Sequence, residues 1–486
     1  MNPAEVTEYD VVVLGGGTGG YSCALRASEL GLSVALVEQD LLGGTCLHRG
    51  CIPSKALLHA ASIMEAIEEG AGRWGIDAAV KSVDAAVLAA TRDDIVTRNF
   101  KGLVQHLDLQ QVSVFEGHGQ LTSTRSLTVT PQPASGRPVV ELTARRGVVI
   151  ATGSAPKELP GLTSDGVRVM TSDDATRTDR VPRSVIVVGA GAIGVEFATF
   201  YRAFGAEVTL VELLDRVLPG EDPDVSAEMA RALQRKGITV LIGAQVQDAT
   251  VKDDRVDVTV TGADSSRQVS AELVLSAIGR SPVSEGMGLE GIGVRRNRGF
   301  VEPADWDRLE THVPGVHVVG DLLPPPSLGL AHASFAEGLL VAEVLAGRSV
   351  APIQYPGVVR ATYSLPEAAS VGLSEPEAKE RGFEVEVNRF PLTGVAKGVI
   401  YGQGGMVKVV AEKGGPILGM HLVGPHVTDL IAEGMLITNW EALPVEVAEM
   451  IHPHPSLSEA VGETLLTLGG RRLHQMPPSR SGPARS

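Results

Sequence analysis

The sequence has few cysteines, few positive charges and no long apolar run, and each shortage excludes a class of protein. Three cysteines in 486 residues are too few for a disulfide framework, so we expect a reducing compartment, with the cytoplasm as the default. The first ten residues, MNPAEVTEYD, contain acidic groups but no apolar signal core. No uninterrupted apolar segment reaches the length of about 20 residues that a membrane-spanning helix needs. We therefore expect neither a secreted protein nor a membrane protein.

Positive charge is also in deficit. The chain has 42 Lys and Arg residues against 58 Asp and Glu residues, which gives a net charge of −16. A surface of this sign repels a nucleic-acid backbone and an anionic membrane. We therefore expect no nucleic-acid or membrane partner, and small molecules or a basic protein surface as ligands. The length of 486 residues predicts about three domains.

Two segments share one pattern, in which a buried strand leads through a Gly-x-Gly-x-x-Gly turn into a helix, and the next strand ends in an acidic residue. The residues are Gly15, Gly17, Gly20 and Glu38 in the first segment and Gly189, Gly191, Gly194 and Glu212 in the second. Such a turn lets the backbone approach a pyrophosphate at the helix N-terminus. The acidic side chain can accept hydrogen bonds from the ribose hydroxyls. Two such sites indicate a flavin and a nicotinamide, because hydride must pass between them or on to a third group. The acid at Glu212 would repel a 2′-phosphate and favours NAD over NADP.

Two of the three cysteines, Cys46 and Cys51, lie in the stretch GGTCLHRGCIPSKALL. Two cysteines alone cannot close a zinc site, and a structural disulfide is disfavoured in a reducing compartment. Buried, inert thiols are the commonest state of cytosolic cysteines, and Cys23 is assigned to that class. For the pair, an inert state and a redox-active state both remain open at this point.

The spacing of the pair restricts how it could form a disulfide. In a regular α-helix, residues five apart have Cα atoms about 8.7 Å apart, which is beyond disulfide reach. Bonding therefore needs an irregular turn, which Gly50 and Pro53 can supply. A helix that begins there would stabilise a thiolate at its N-terminus. The pair is suited to opening and closing.

The remaining chain predicts alternating helices and strands. The expected helices are 62–107, 428–437 and 456–467, and the expected strands are several short ones within 112–150, one near each of residues 240, 256 and 274, and 405–410 and 416–423. The Pro-, Ser- and Arg-rich segment 471–486 is expected to be a disordered tail.

Together, the cysteine stretch, the two glycine turns and HPHPSLSEA resemble the class I flavin-dependent pyridine nucleotide disulfide oxidoreductases. The similarity runs from residue 8 to residue 468 and includes IATGS, AIGRSP, VVGD, LAHASFAEG, PEAASVGLSE and LGMHLVGP. It implies an α/β fold with two doubly wound Rossmann-like dinucleotide-binding domains and a C-terminal α+β dimerisation domain. The implied domains are an FAD-binding domain of residues 1–153 and 282–350, an NAD-binding domain of residues 154–281, and an interface domain of residues 351–470.

The resemblance also implies an activity. The expected reaction is the oxidation of dihydrolipoamide, or of the lipoyl domain of an acyltransferase, with NAD through a redox disulfide and FAD. It would serve a 2-oxoacid dehydrogenase complex or glycine cleavage, in a homodimer whose active site is shared between subunits. The alternatives are an NAD(P)H-dependent reductase of another low-molecular-weight disulfide, an NADH diaphorase or oxidase, and a redox-inert subunit that keeps FAD. The intact cysteine pair, base and glycine turns disfavour the last.

Four residues around the disulfide acquire roles from the resemblance. Cys51 would be the thiol beside the flavin, and Cys46 the outer thiol that exchanges with the substrate. Lys55 would lie near the flavin, paired with Glu196 from the second glycine-turn helix.

Two residues near the C-terminus would supply acid–base chemistry. By resemblance, His454 is the acid/base for the outer thiol, oriented by Glu459, and the pair reaches in from the other subunit. Ser456 and Glu459 also match the Ser-x-x-Glu capping box that begins a helix, so Glu459 has a structural interpretation as well. No metal site is expected.

The resemblance extends to the cofactor-binding residues, with Asp321 at the flavin ribitol, Ala331 at the ring, and Gly119 and Gly153 in backbone contact with FAD. The full set is Gly15, Gly17, Gly20, Glu38, Gly44, Thr45, Lys55, Gly119, Thr152, Gly153, Asp321, Ala331, Gly189, Gly191, Gly194, Glu212, Val246 and Gly279. The chain departs from the usual pattern in three places: His48-Arg49 replaces Asn-Val between the cysteines, Thr18 stands where many relatives have proline, and Leu213 and Pro219 stand where NADP-using relatives carry arginines.

Overall fold

The structure, a computed structural model, describes residues 6–262 and 266–475 and groups them into two compact units. The first unit draws on Met1–Val181 and Ile278–Tyr355, and the second on Pro182–Ala277 and Pro356–Ser486. The predicted division into three domains stays a prediction. Within the two described ranges, no helix is both long enough and apolar enough to cross a bilayer.

The first unit begins with the predicted strand, glycine turn, helix and strand. Its elements up to residue 181 are β1 (Val6–Leu14), α1 (Thr18–Glu29), β2 (Val34–Glu38), α2 (Gly44–His48), α3 (Cys51–Glu65), α4 (Ala85–Leu109), β3 (Ser113–Glu116), β4 (His118–Leu121), β5 (Ser126–Thr130), β6 (Val140–Ile150), β7 (Ser154–Pro156), β8 (Val169–Thr171) and α5 (Ser172–Ala175). Val11, Val12 and Val13 of β1 are fully buried, as expected for a strand covered on both faces.

The helical structure predicted over 62–107 is wrong in its middle part. After α3 the chain makes a π turn, Ala66–Gly70, and a 3₁₀ turn, Ala71–Trp74. Gly75 then takes a left-handed conformation, with φ 70°, which ends the helical run. Residues 76–84 are not helical, and Asp84 begins α4 by accepting hydrogen bonds from two backbone N–H groups. The prediction missed these two signals because it relied on the polarity pattern.

The second unit begins with the second glycine-turn segment. Its elements up to residue 277 are β9 (Ser184–Val188), α6 (Ala192–Ala203), β10 (Glu207–Val211), α7 (Pro223–Arg235), β11 (Thr239–Leu241), β12 (Ala244–Val251), β13 (Val256–Gly262), β14 (Ser266–Ala271) and β15 (Leu273–Ser276). Four of these strands form a parallel sheet in the order β11-β10-β9-β15, and β12, β13 and β14 form an antiparallel sheet.

The chain then returns to the first unit and completes its sheet. The returning elements are β16 (Arg280–Pro282), β17 (Arg296–Asn297), β18 (Phe300–Val301), β19 (Val316–Val318) and α8 (Ala331–Leu345). The main sheet has the order β3-β2-β1-β6-β5-β4, with β19 parallel to β6. β16 pairs with β7 in a short antiparallel ribbon.

The last part of the second unit is an α+β arrangement. Its elements are β20 (Arg360–Thr362), β21 (Glu367–Gly372), α9 (Glu375–Glu380), β22 (Val385–Pro391), α10 (Ala396–Tyr401), β23 (Met406–Glu412), β24 (Ile417–Gly424), α11 (Val427–Asn439), α12 (Pro444–Ala448) and α13 (Glu459–Leu468). The strands form an antiparallel sheet in the order β20-β21-β24-β23-β22, against which α11 and α13 pack. The predicted fold class, with two doubly wound segments and a C-terminal α+β region, is confirmed.

The predicted tail, 471–486, lies partly outside the described residues, which end at 475. Residues 474 and 475 make side-chain contacts, and the disordered tail stays a prediction. His474 Nδ1 is 2.7 Å from Glu463 Oε1, and the side-chain amides of Gln475 and Asn388 are joined by two hydrogen bonds of 2.8 Å.

Candidate active site

In the first glycine turn the three glycines meet different constraints. Gly15 has φ 105°, and a Cβ there would lie 2.4 Å from the carbonyl oxygen of Ala151. A Cβ on Gly20 would lie 1.8 Å from the carbonyl oxygen of Gly15, so this glycine permits the close approach of helix and strand. At Gly17 a Cβ would meet none of the described atoms within 4 Å. The middle glycine therefore faces open space at the N-terminus of α1.

The second glycine turn repeats this geometry in the second unit. Gly189 has φ 101°, and a Cβ on Gly194 would lie 1.8 Å from the carbonyl oxygen of Gly189. A Cβ on Gly191 would again meet none of the described atoms within 4 Å. Each turn thus leaves a backbone cradle at a helix N-terminus, which is the arrangement that binds a pyrophosphate.

The two acids that follow these turns hold the turn backbone, a function that the sequence analysis did not predict. Glu38 Oε2 accepts a hydrogen bond of 2.7 Å from the Gly16 N–H. Glu212 Oε2 accepts one of 2.6 Å from the Ala190 N–H. In each carboxylate the other oxygen accepts from the N–H two residues further along the chain, at 2.8 Å. Each carboxylate is therefore fixed beside its cradle and keeps lone pairs that can accept ribose hydroxyls.

The first unit holds further predicted flavin-binding residues near its glycine turn. A Cβ on Gly44 would lie 2.8 Å from the Cα of Gly17, so the first residue of α2 packs closely against the glycine turn. Ser154 Oγ donates a 2.5 Å hydrogen bond to Asp321 Oδ2. Burial raises the pKa of Asp321, against the opposing effects of this hydrogen bond and of the Arg280 charge. Ala331 is the first residue of α8, whose N-terminus favours a negative group.

Beyond the end of β2 the first unit contains a cavity of about 490 Å³. Its lining residues are Gln39, Asp40, His118, Thr130, Pro131, Gln132 and Pro133. Gly119 lies at the next position after His118, where a Cβ would come within 2.4 Å of the Leu14 side chain. An open cradle, a fixed acid and a helix N-terminus in one unit are groups that a dinucleotide such as FAD needs, and the cavity begins at the residue after Glu38.

The remaining predicted cofactor residues lie in several elements. Thr152 Oγ1 donates to the carbonyl oxygen of Val283 at 2.7 Å, and Gly153 has φ 70°. Gly279 has φ 104° and lies just before β16 in the first unit, whereas Val246 lies in β12 of the second unit. Their cofactor contacts stay predictions.

The predicted Lys55–Glu196 pair divides between the two units. Lys55 lies in the first turn of α3, four residues after Cys51. Glu196 lies in α6, where its Oε1 accepts a 2.9 Å hydrogen bond from the Tyr363 N–H. The pairing of the two side chains stays a prediction.

The structure joins Cys46 and Cys51 in a disulfide. Cys46 lies in the short helix α2 and Cys51 is the first residue of α3. The helical path breaks at Arg49 and Gly50, which brings the two Cα atoms to 4.6 Å. The predicted irregular turn is therefore confirmed. Cys51 is placed at the N-terminus of a 15-residue helix, where the helix field stabilises a thiolate.

The two unusual residues between the cysteines hold the turn to its surroundings. His48 Nε2 donates to the carbonyl oxygen of Leu42 at 2.8 Å, and the His48 ring meets Phe100 of α4 edge to face, with centroids 5.3 Å apart. Arg49 forms an ion pair with Asp40. The departure from Asn-Val thus adds two side-chain anchors to the disulfide loop.

His454 and Glu459 are in direct contact in the second unit, with His454 Nδ1 2.7 Å from Glu459 Oε1. Burial alone would raise the pKa of Glu459, but the hydrogen bonds from the Ser456 N–H and from His454 outweigh it and lower the pKa. Glu459 Oε2 accepts from the Ser456 N–H at 2.8 Å, while the Ser456 hydroxyl bonds to Ser458. The helix begins at Glu459, with Ser458 as its N-cap, so the predicted Ser456–Glu459 capping box does not form; Glu459 holds the backbone that leads into the helix and orients the imidazole as well.

A second histidine of HPHPSLSEA also has an acidic partner. His452 Nε2 lies 2.7 Å from Glu433 Oε1, and this hydrogen bond raises the pKa of His452. This contact could not be predicted from the local pattern, because Glu433 lies in α11. The contact anchors the loop that leads to His454.

The third cysteine behaves as expected. Cys23 is a free thiol, fully buried in the core of the first unit, and burial raises its pKa to about 12. Among the residues that the structure describes, no group of three or more His, Cys, Asp or Glu side chains could hold a metal ion.

Two nucleotide cradles, a disulfide at a helix N-terminus and a histidine–carboxylate pair define a nucleotide-dependent disulfide oxidoreductase. Residues 9–338 match the family model of the pyridine nucleotide-disulphide oxidoreductases, and residues 358–465 match the model of their dimerisation domain. The chain belongs to this family.

Several relatives match nearly the whole chain. A dihydrolipoyl dehydrogenase of Bacillus subtilis is 40% identical over 477 residues, which cover 96% of this chain and 99% of the relative. A dihydrolipoyl dehydrogenase of Zymomonas mobilis is 37% identical over 474 residues, with coverage of 96% and 99%.

Solved structures agree with the fold. The crystal structure of LpdA from Mycobacterium tuberculosis has a TM-score of 0.85 and 26% identity, covering 95% of this chain and 99% of that one. The flavoprotein disulfide reductase RclA from Escherichia coli has a TM-score of 0.82 with 24% identity, covering 95% and 99%, and shares the fold.

Proposed function

We propose that this protein oxidises dihydrolipoyl groups with NAD, through the Cys46–Cys51 disulfide and bound FAD. The observation that carries the proposal is the disulfide across the break between α2 and α3. It occurs in a chain that is 40% identical, over nearly its whole length, to a dihydrolipoyl dehydrogenase. The reaction belongs to a 2-oxoacid dehydrogenase complex or to glycine cleavage.

The cysteine pair takes up the electrons of the substrate by thiol–disulfide exchange. A dihydrolipoyl thiolate attacks the sulfur of Cys46, the Cys46–Cys51 bond breaks, and Cys51 leaves as a thiolate. The second lipoyl sulfur then attacks the first, closes the oxidised lipoyl ring and releases Cys46. Two electrons have moved from the substrate to the pair, and of the two substrate protons one is on His454 and one on Cys46. The N-terminus of α3 stabilises the thiolate of Cys51.

His454 serves as the base that generates the attacking thiolate. Its Nδ1–H is held by Glu459, which fixes the tautomer and leaves Nε2 free to take a proton. The lowered pKa of Glu459 keeps this residue a carboxylate, the form that stabilises an imidazolium. The His454 side chain is 72% exposed in the single chain, which supports a site completed by a second copy of the chain.

FAD and NAD are the cofactors, and FAD, when bound, would supply the two-electron chemistry that links the reduced cysteine pair to NAD. The cradle at Gly17 with Glu38, Asp321 and Ala331 would hold FAD. The cradle at Gly191 with Glu212 would hold NAD. Leu213 offers no positive charge to a 2′-phosphate, which supports NAD over NADP.

The partners follow from the same proposal. The match of residues 358–465 to a dimerisation domain supports a homodimer. The same region exposes large apolar side chains, with Ile451 98%, Trp440 75% and Met450 65% exposed, and a second copy would cover them. The lipoyl domain of an acyltransferase is the expected protein substrate, and the cytoplasm the expected location.

The test is a comparison of substrates with the purified holoenzyme. We expect NADH formation from dihydrolipoamide and NAD, and little NADPH formation when NADP replaces NAD. Faster turnover of NADPH with a low-molecular-weight disulfide would assign the protein to the alternative reductase class. NADH oxidation by oxygen or quinones that persists in Cys51→Ser, without any dihydrolipoamide activity in the wild type, would assign it to the diaphorases.

A further inference from the structure

Arg280 connects the disulfide loop to the predicted flavin-binding carboxylate, and all of its contacts lie within the first unit. It is the first residue of β16, in the AIGRSP stretch whose arginine the sequence analysis left without a role. We propose that Arg280 is a positioning residue for the redox disulfide, fixing the loop that carries Cys46 and supplying the positive charge that favours its reduced state. This inference rests on the proposed function and names a determinant of its thiol chemistry.

The guanidinium uses all three of its nitrogen atoms. Nε donates to Ser154 Oγ at 2.8 Å, and Nη2 donates to the Ser154 carbonyl oxygen at 2.8 Å. Nη1 donates to Asp173 Oδ1 at 2.9 Å, and Nη2 also reaches Thr45 Oγ1 at 3.5 Å. The Arg280 and Asp173 side chains are only 18% and 17% exposed, so solvent screens the pair weakly. The planar guanidinium of an arginine can make these hydrogen bonds at the same time, and the single ammonium group of a lysine cannot.

Two ends of this network matter for the redox site. At one end, Thr45 is the residue before Cys46. At the other end, Ser154 donates its hydroxyl to Asp321 at 2.5 Å while accepting from Arg280. The guanidinium therefore lies between the cysteine loop and the carboxylate predicted to hold the flavin ribitol.

A second contact holds the other side of the loop to the same support. Thr176, which directly follows α5, is buried and its Oγ1 donates to the carbonyl oxygen of Arg49 at 3.1 Å. α5 also carries Asp173 and begins with a capping box formed by Thr171 and Asp174. The loop between Thr45 and Arg49 is thus held on both sides of Cys46, once through Arg280 and once through Thr176.

The charge balance gives this arrangement a redox consequence. Reduction of the disulfide creates a thiolate, whose energy depends on the charges around it. Arg280 compensates the Asp173 carboxylate directly and the Asp321 carboxylate through Ser154. Its removal leaves the two carboxylates of the network that reaches Thr45 without this positive charge, which disfavours the reduced pair. Removal of Asp173 leaves the guanidinium with one partner fewer, which favours the reduced pair.

The test is the redox equilibrium of the disulfide in the FAD-containing protein, set anaerobically with mixtures of reduced and oxidised dithiothreitol. Thiols are trapped by alkylation, and the 43–58 peptide is quantified by mass spectrometry. For Arg280→Gln we expect the equilibrium constant for reduction to fall about threefold to tenfold, or about 14 to 30 mV at 29.6 mV per tenfold change. For Asp173→Asn we expect a change in the opposite direction.

Arg280→Lys and Arg98→Gln complete the set. In Arg280→Lys the equilibrium constant for reduction should return part of the way to the wild-type value, because the positive charge is kept. The rate at which Cys46 reacts with dihydrolipoamide should stay low, because lysine lacks the planar guanidinium that holds Thr45 and Ser154 together. Arg98 is 78% exposed in α4, and its variant should match the wild type. Equal equilibria in the wild type, Arg280→Gln and Asp173→Asn would overturn the inference, as would a shift of both variants in one direction. If Arg280→Gln fails to retain FAD, Asp173→Asn alone tests the inference: a larger equilibrium constant for reduction supports it, and an unchanged or smaller one overturns it.

The same experiment separates this inference from the proposed function. Dithiothreitol reports on the disulfide whatever the natural substrate is. A wild type that dihydrolipoamide does not reduce would refute the proposed function, while the dithiothreitol equilibria would still judge the role of Arg280.

Discussion

At the scale of single residues, the chemistry depends on where a side chain meets the end of a helix. Cys51 is the first residue of α3, and Cys46 approaches it only because the chain breaks at Arg49 and Gly50. The same principle applies to Glu38 and Glu212, which hold the backbone just before the helices α1 and α6. Both carboxylates are fixed beside their glycine turns by backbone hydrogen bonds.

Replacement of Cys51 tests the cysteine cycle directly. Cys51→Ser should abolish dihydrolipoamide oxidation while FAD stays bound, because serine cannot form or break the disulfide. Steady-state NADH formation and the flavin absorbance measure the two properties. Cys23→Ala is the matched control, since Cys23 is buried and its pKa is raised to about 12. Wild-type turnover in Cys51→Ser would contradict the scheme.

Glu459 and Glu463 provide a matched pair on one helix. Both carboxylates hold a histidine Nδ1 at 2.7 Å, Glu459 that of His454 and Glu463 that of His474. Glu459→Gln should lower kcat at least about 10-fold, because an amide stabilises an imidazolium less than a carboxylate does. Glu463→Gln should keep near wild-type kcat. Equal effects of the two substitutions would mean that Glu459 acts only by holding the backbone that leads into the helix.

At the scale of secondary-structure elements, a buried ion cluster fixes α7 to the C-terminal sheet within the second unit. Lys408 of β23 is 1% exposed and bonds Asp222, Asp224 and Glu375 at 2.8, 2.6 and 2.9 Å. Asp222 is fully buried and caps α7. The helix that follows the predicted NAD-binding strand is therefore held by the sheet of the predicted interface region.

Lys408→Met should destabilise the protein strongly, because it removes the buried cation that three carboxylates share and takes from the fully buried Asp222 its ion-pair partner. We expect a loss of about 3 to 5 kcal/mol in the free energy of unfolding. Lys413→Met, at an exposed ion pair on the loop after the same strand, should lose no more than about 1 kcal/mol. Urea unfolding followed by circular dichroism measures both. A Lys408 effect as small as that of Lys413 would show that the buried cluster contributes little.

The same cluster predicts how the stability depends on pH. Hydrogen bonds from Lys379 and Lys408 lower the pKa of Glu375 from 4.5 to about 2, although burial alone would raise it. Because the folded-state pKa is lowered, the stabilisation is present above pH 4.5 and is lost as the pH falls toward 2. In Lys379→Met the free energy of unfolding should fall less than in the wild type when the pH is lowered from 4.5 toward 2. An unchanged pH dependence in urea unfolding would contradict the assignment.

At the scale of the whole molecule, local patterns sufficed where one short segment determines the structure. The glycine turns, the broken helix between the cysteines and the C-terminal strands all follow from residues close together in sequence. The interruption at 75–84 was missed because its signals, Gly75 and Asp84, are single residues inside an otherwise helical pattern.

Side-chain contacts between residues far apart in sequence could not be predicted from local patterns. Asp173 and Ser154 meet Arg280 across more than 100 residues, and His452 meets Glu433 of another helix. Which carboxylate lies opposite which cation depends on the complete fold, so no short pattern could predict these pairs. The pairing of His454 with Glu459 was predictable because the two residues are five apart and matched a family motif.

An anaerobic titration of the holoenzyme with dihydrolipoamide, followed by addition of NAD or NADP, tests the proposed cysteine cycle in one experiment. We expect a long-wavelength absorbance band from a thiolate next to the flavin; NAD should remove this band with formation of NADH, and NADP should not. A flavin that NADH reduces but dihydrolipoamide leaves unchanged would contradict this cycle.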